Sequence, residues 1–191
     1  MTLPAAAAHR QLKHRRQFDV QVFSRGDGQW EVDALLIDTK TCDVKLSAGL
    51  RPAGTPIHEM LLRLVVDERL EIREAGSETR WMPYLPFCAE HGDAYSRLVG
   101  LNLLQGFREK LRERLGGVLG CTHITELAQV LPTAVIQAFA GEVIDTRGNV
   151  DNKPFQLDRC HALRSDGPAV QTYYPRWYRG AAATTVPNAN D

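Results

Sequence analysis

The hydrophobic period changes once along this chain, and that change constrains the fold more than any other feature. Phe18, Val20 and Val22 alternate with Asp19, Gln21 and Phe23, a half-buried strand pattern of period two. Asp27-Gly28 marks a tight hairpin turn, and Trp30, Val32, Ala34 and Leu36 resume the alternation beyond it. Met60, Leu62, Leu64 and Val66, a turn at Asp67-Glu68, then Leu70 and Ile72 read as a second hairpin. An extended segment from Cys42 to Leu46 is expected to complete a meander, and Leu50 to Pro56, with two prolines and Gly54, to form a loop. The spacing then becomes helical. Leu104, Phe107, Leu111 and Leu115 share a stripe that Gly116-Gly117 ends. A shorter helix is expected around Asp93 to Val99. A third follows Cys121, with Ile124, Leu127, Ala128 and Leu131 on one face and a kink or break at Pro132 before residues 133–140. Strands first and helices afterwards predict an α+β fold: an antiparallel sheet in the N-terminal half, three or so helices packed on one face, and an irregular C-terminal segment.

The chain is expected to form a single domain over residues 17–179, between a flexible arm (1–16) and a frayed tail (180–191). Its 191 residues and 43% hydrophobic content suffice for one apolar core without disulfides. Past residue 150, short strands are expected at Leu157 to Leu163 and Ala169 to Tyr173. Lys plus Arg equals Asp plus Glu, 23 each, so no net field favours nucleic acid or acidic lipid. The basic residues Arg10, Lys13, Arg15 and Arg16 then read as a solvated leader, and the aromatic stretch from Tyr173 to Arg179 as packing rather than base stacking. Neither a membrane nor a nucleic acid is an expected partner. A small-molecule or protein partner and the oligomeric state stay open. No apolar run approaches a membrane span, and the start has no signal-peptide order, so a cytoplasmic location with four reduced cysteines is expected.

Familiar nucleotide and protease motifs are missing. There is no Gly-x-Ser-x-Gly, no Gly-x-x-x-x-Gly-Lys, no Cys-x-x-Cys and no His-Glu-x-x-His. A scattered set of thiols and imidazoles remains: His58, Cys88 with His91, Cys121 with His123, and adjacent Cys160 and His161. Cys42 has no histidine neighbour and reads as a small core residue. Cys121 and His123 would splay apart inside a helix, but they point the same way if the helix starts at Thr122 or His123. A thiol at such a start also meets the positive end of the helix dipole, which favours the thiolate. Cys121 is therefore the strongest single candidate, and Cys88, after Pro83 and Pro86, is placed to meet it from the sheet side.

Several segments together resemble the bacterial family catalogued as domain of unknown function 2889. They are Pro56-Ile57-His58-Glu59-Met60, Pro86-Phe87-Cys88, Leu98 to Leu101, Gly116 to Leu127 and Leu157 to Leu163. The Gly-Gly-x-x-Gly-Cys-Thr-His element is the most specific of them. The resemblance implies no activity, but it does imply that His58, Cys88, Cys121, His123, Cys160 and His161 belong to one recurring pattern. The order Cys88, Gly120-Cys121, Cys160-His161 also looks somewhat like that of iron–sulfur scaffold proteins. Cys88 lacks the Gly-Asp that follows their first cysteine, and Thr122-His123 replaces small residues after the second.

Three functions compete on these residues. The first is a metal-binding protein holding zinc or an iron–sulfur cluster through Cys88, Cys121 and Cys160 with His58, His123 or His161. The second is an enzyme with Cys121 as nucleophile, His58 or His123 as base, and Glu59 or Asp158 orienting it. The third is a ligand-binding or interaction module in which these side chains only pack.

Overall fold

The computed structural model describes residues 2–91 and 93–180. The chain divides into two compact units, Met1–Ala138 and Phe139–Asp191.

The first unit is built on a four-stranded antiparallel sheet. Its strands are β1 (His14–Ser24), β2 (Gln29–Lys40), β5 (Pro56–Asp67) and β6 (Ile72–Trp81), in spatial order β1-β2-β5-β6. The alternation read from the sequence is the burial pattern observed. Along β2, Trp30, Val32, Ala34 and Leu36 are buried and the residues between them are half-buried. Met60, Leu62, Leu64 and Val66 form the matching stripe on β5. Register sets these stripes side by side: Leu36 faces Phe18 on β1 and Met60 on β5, and Ala34 faces Val20 and Leu62.

Two helices add the second layer of the core. Helix α1 (Phe107–Leu115) buries Phe107, Leu111 and Leu115, and α2 (Thr122–Phe139) buries Ile124, Leu127, Ala128, Leu131 and Val135. Before them, a turn of 3₁₀ helix at Ala94–Leu98 buries Tyr95 and Leu98. α1 ends at Gly116, where the chain turns to extended backbone and a Cβ would collide with the Arg112 carbonyl oxygen that the Gly116 amide binds.

Four local expectations are corrected in this unit. The segment after Cys42 does not extend the meander. β3 (Val44–Leu46) pairs with β4 (Gly49–Arg51) as a separate two-stranded ribbon that takes up the start of the expected loop, and β5 takes the place beside β2. Cys42 itself is exposed, because it lies in the bend after β2 rather than in a strand. Pro132 neither splits nor ends α2, which runs unbroken to Phe139. The missing hydrogen bond is outweighed by a helix face that is fully buried on both sides of the proline. Finally, β1 begins at His14, so the last residues assigned to the arm are strand.

The second unit contains α3 (Pro168–Tyr173) and a one-turn 3₁₀ helix at His161–Leu163, where short strands were expected. Pro168 at the first helical position presets the backbone for α3. Asp158 organises the preceding loop, accepting from Lys153 and from the Ser165 amide (2.6 Å) and hydroxyl (2.7 Å). Of the aromatic stretch, Tyr174 is half-buried and receives the Gln156 amide at 2.8 Å, while Tyr173 is exposed. The expected frayed tail lies, apart from Gly180, outside the described residues.

Candidate functional site

The buried stripe of β2 does not end in an apolar residue. Two positions beyond Leu36 it reaches Asp38, only 2% exposed, on the face that carries the core. The same register row brings Arg16 of β1 and His58 of β5 directly opposite it. Three adjacent strands therefore deliver a guanidinium, a carboxylate and an imidazole to one rung.

Asp38 is engaged through both oxygens. Its Oδ1 accepts from Arg16 Nε at 2.8 Å and lies 3.2 Å from His14 Nε2. Its Oδ2 accepts from Arg16 Nη2 at 2.7 Å and lies 3.0 Å from His58 Nδ1. Three of these contacts are hydrogen bonds, so most of the roughly four acceptor positions of the carboxylate are taken by Arg16 and His58. Burial alone would push the Asp38 carboxyl up, but the Arg16 hydrogen bonds and charge, with His58, hold it below the ordinary range. An ionised carboxylate can only accept, so His58 carries its proton on Nδ1 and presents a lone pair on Nε2.

Helix α2 closes the other side. The Thr125 amide donates to the Cys121 carbonyl at 2.9 Å, which makes Cys121 the residue that opens the helix. Cys121 and His123 do point the same way, with Sγ 4.0 Å from His123 Nδ1. The His123 ring stacks on His58, centroids 3.9 Å apart, and its Nε2 lies 3.8 Å from Asp38 Oδ2. One turn further on, Glu126 accepts from Arg16 Nη1 at 2.5 Å and ties β1 to α2. Sγ of Cys121 also touches Met60 Sδ at 3.7 Å. Burial pushes both imidazoles down from their ordinary value. For His58 the nearby Asp38 only partly offsets this, and for His123 the neighbouring His58 and Arg16 push further the same way.

Of the six residues selected from the sequence, His58, Cys121 and His123 meet here. Cys88 lies half-buried in a one-turn 3₁₀ helix after β6, its amide donating to the Tyr84 carbonyl at 3.0 Å. Cys160 and His161 belong to the second unit, where both are exposed. Among the described residues, the group of three or more metal-ligand types whose donor atoms all lie within 4.8 Å of one another is Asp38, His58 and His123; Cys121 approaches His123 alone and is not in the group. The carboxylate beside these imidazoles is neither Glu59, which faces Arg80 at 3.6 Å, nor Asp158, which binds Ser165, but Asp38.

Asp38, His14, Arg16 and Glu126 were not selected from the sequence, though a signal for three of the site's residues existed. Extending the apolar stripes Phe18, Leu36 and Met60 by one period gives Arg16, Asp38 and His58, three polar residues where the pattern calls for core.

No curated protein and no solved structure matches the chain. A family model does, over residues 14–137, from the first residue of β1 almost to the end of α2, so it spans every residue of this cluster. The chain belongs to that family, described as a protein of unknown function, DUF2889.

Proposed function

We propose that the first unit carries a thiol–imidazole catalytic site. Cys121 is the nucleophile, His123 takes its proton at Nδ1, and Asp38 holds the imidazole pair in place. The observation that carries this reading is the line from Cys121 Sγ to His123 Nδ1 (4.0 Å) and from His123 Nε2 to buried Asp38 (3.8 Å). Both gaps are longer than hydrogen bonds, as catalytic contacts often are before substrate closes the site. With the proton on His123, the thiolate is free to displace a leaving group from an electrophilic carbon, the departing group taking the bond pair and then the proton from His123, and the lone pair on His58 Nε2 serves as a second base.

A divalent cation of the zinc type is the second reading, favoured by the clustering of Asp38, His58 and His123. Against it stands the engagement of Asp38 by the Arg16 guanidinium and by His58, which favours an orienting carboxylate over a metal ligand. An iron–sulfur cluster has less support, because the set of close ligand atoms contains no thiol.

One experiment separates the readings: iodoacetamide alkylation of protein purified without a metal column, with elemental analysis alongside. The catalytic reading expects rapid modification of Cys121, slowed about 100-fold in a His123→Ala variant and indifferent to chelator. Stoichiometric zinc, with Cys121 modified only after chelation, would overturn it in favour of the metal site.

A further inference from the structure

We propose that β1 is a dimerisation edge, pairing antiparallel with β1 of a second copy of this chain to extend the sheet across a twofold axis centred on Val20.

The strand order leaves β1 at the margin of the sheet, with β2 as its one strand neighbour among the described residues. Natural edge strands are kept short, kinked by a bulge, blocked by proline or guarded by inward-pointing charges. β1 has none of the first three, and its inward-facing His14 and Arg16 lie at one end, outside the segment from Phe18 to Val22. It runs for 11 residues without proline or glycine, and its ladder to β2 holds one register throughout, whereas the β2–β5 and β5–β6 ladders each shift. Its outer row of backbone amides and carbonyls is thus a straight, complete template.

The side chains say what pairs with it. Phe18, Val20 and Val22 lie on the face that is core in β2 and β5, yet Phe18 stays 40% exposed and both valines only half-buried. The segment from Phe18 to Val22 is a palindrome in polarity, so a second copy in antiparallel register matches it, with Gln17 meeting Phe23 beyond it. With Val20 opposite Val20, Phe18 meets Val22 from either side and the apolar row continues across the axis. Asp19 then meets the Gln21 amide, a pairing already made within the strand at 3.1 Å. Neighbouring registers fit less well. Centring on Asp19 opposes two carboxylates, and centring on Gln21 sets Phe18 against Ser24. The chosen register leaves one like-charge meeting, Arg15 with Arg25. It falls past the end of the strand, where Arg25 is paired with Asp27 at 3.5 Å. Self-complementarity of this kind is what a twofold interface requires. Because β1 also supplies His14 and Arg16, the extended sheet would hold the β1 side of both candidate sites.

The test uses the whole chain and charge at the axis. Sedimentation or light scattering of the wild type at micromolar concentrations should give the mass of two chains. Val20→Lys and Val20→Glu should each sediment as monomers with unchanged circular dichroism, since each sets like charges face to face. An equimolar mixture of the two should return to the dimer mass. A monomeric wild type would overturn the proposal and leave the edge to a strand from another protein. Dimers that persist in both charge variants would equally overturn it, by placing the interface elsewhere.

Discussion

The phenol of Tyr95 clasps the backbone of Cys121 from both sides. Its oxygen accepts from the Cys121 amide at 3.0 Å and donates to the Cys121 carbonyl at 2.8 Å, with Thr125 Oγ1 a further 2.9 Å away. Tyr95 is fully buried. A residue 26 positions upstream therefore fixes where α2 begins and where its first thiol points.

Removing that hydroxyl leaves a buried amide and a carbonyl short of a partner. Tyr95→Phe should cost about 1–3 kcal/mol, read as a lower urea midpoint at unchanged slope. An unchanged midpoint would show that water replaces the clasp at no cost.

Gly120 is needed for space rather than for backbone freedom, since its φ of −159° is ordinary extended chain. A Cβ there would lie 2.9 Å from the Leu115 carbonyl oxygen and 3.2 Å from the Tyr95 hydroxyl. Gly120→Ala should destabilise by about 1–3 kcal/mol and slow alkylation of Cys121 as the clasp gives way. Full stability together with full reactivity would contradict the crowding.

Asp38→Asn keeps the shape of the side chain and removes its charge. Arg16 retains Glu126 but loses its buried partner, and the tautomer of His58 is no longer fixed. The loss should be about 3 kcal/mol, the lower end for a broken buried pair, because Arg16 is 30% exposed. Thermal and urea unfolding of the variant measure it.

The two half-buried imidazoles make stability depend on pH in a stated direction. Their folded pKa values lie below the ordinary 6.5, so the unfolded chain binds the extra protons first. The contribution is fully present above pH 6.5 and is lost as pH falls through the lowered values. Asp38, also lowered, adds a second loss below its ordinary 3.8. A pH series of urea midpoints should show the first decline in the wild type and a flattened one in a His58→Gln, His123→Gln double variant.

Pro132 leaves the Ala128 carbonyl without its usual helical donor inside α2. Pro132→Ala supplies one, and should raise the midpoint by up to about 3 kcal/mol of stability. A fall would mean that the proline ring packs better than the bond it forgoes.

Much of this was legible in the sequence, and the failures share a cause. The alternation from Phe18 to Ile72 and the stripe from Phe107 to Leu115 were readable because one face of each element is buried. A helix following Cys121 was readable, and its start at Thr122, one of the two starts considered, brings Cys121 towards His123. Asp38 escaped because a single carboxylate between Ile37 and Thr39 looks like a solvated strand end. Its place in the period of Trp30 to Leu36 was readable, but its meeting with Arg16 and His58 on one rung needed the register of three strands. Pro132 and the segments at Leu157 and Ala169 misled because local preference was read without the packing that decides it.

The rung that joins Arg16 to Asp38 also settles how the outermost strand is threaded. Much of β1 is exposed, so burial alone does little to resist a slide along β2. A slip of one residue would turn Arg16 to the opposite face and bring Arg15 or Gln17 opposite Asp38. A slip that brings Gln17 there leaves the buried carboxylate without a guanidinium, and a slip that brings Arg15 there supplies one only by turning Phe18, Val20 and Val22 away from the core face. Charge and apolar face thus select one threading together, and the strand that closes the margin of the sheet is placed by the same residues that complete the cluster.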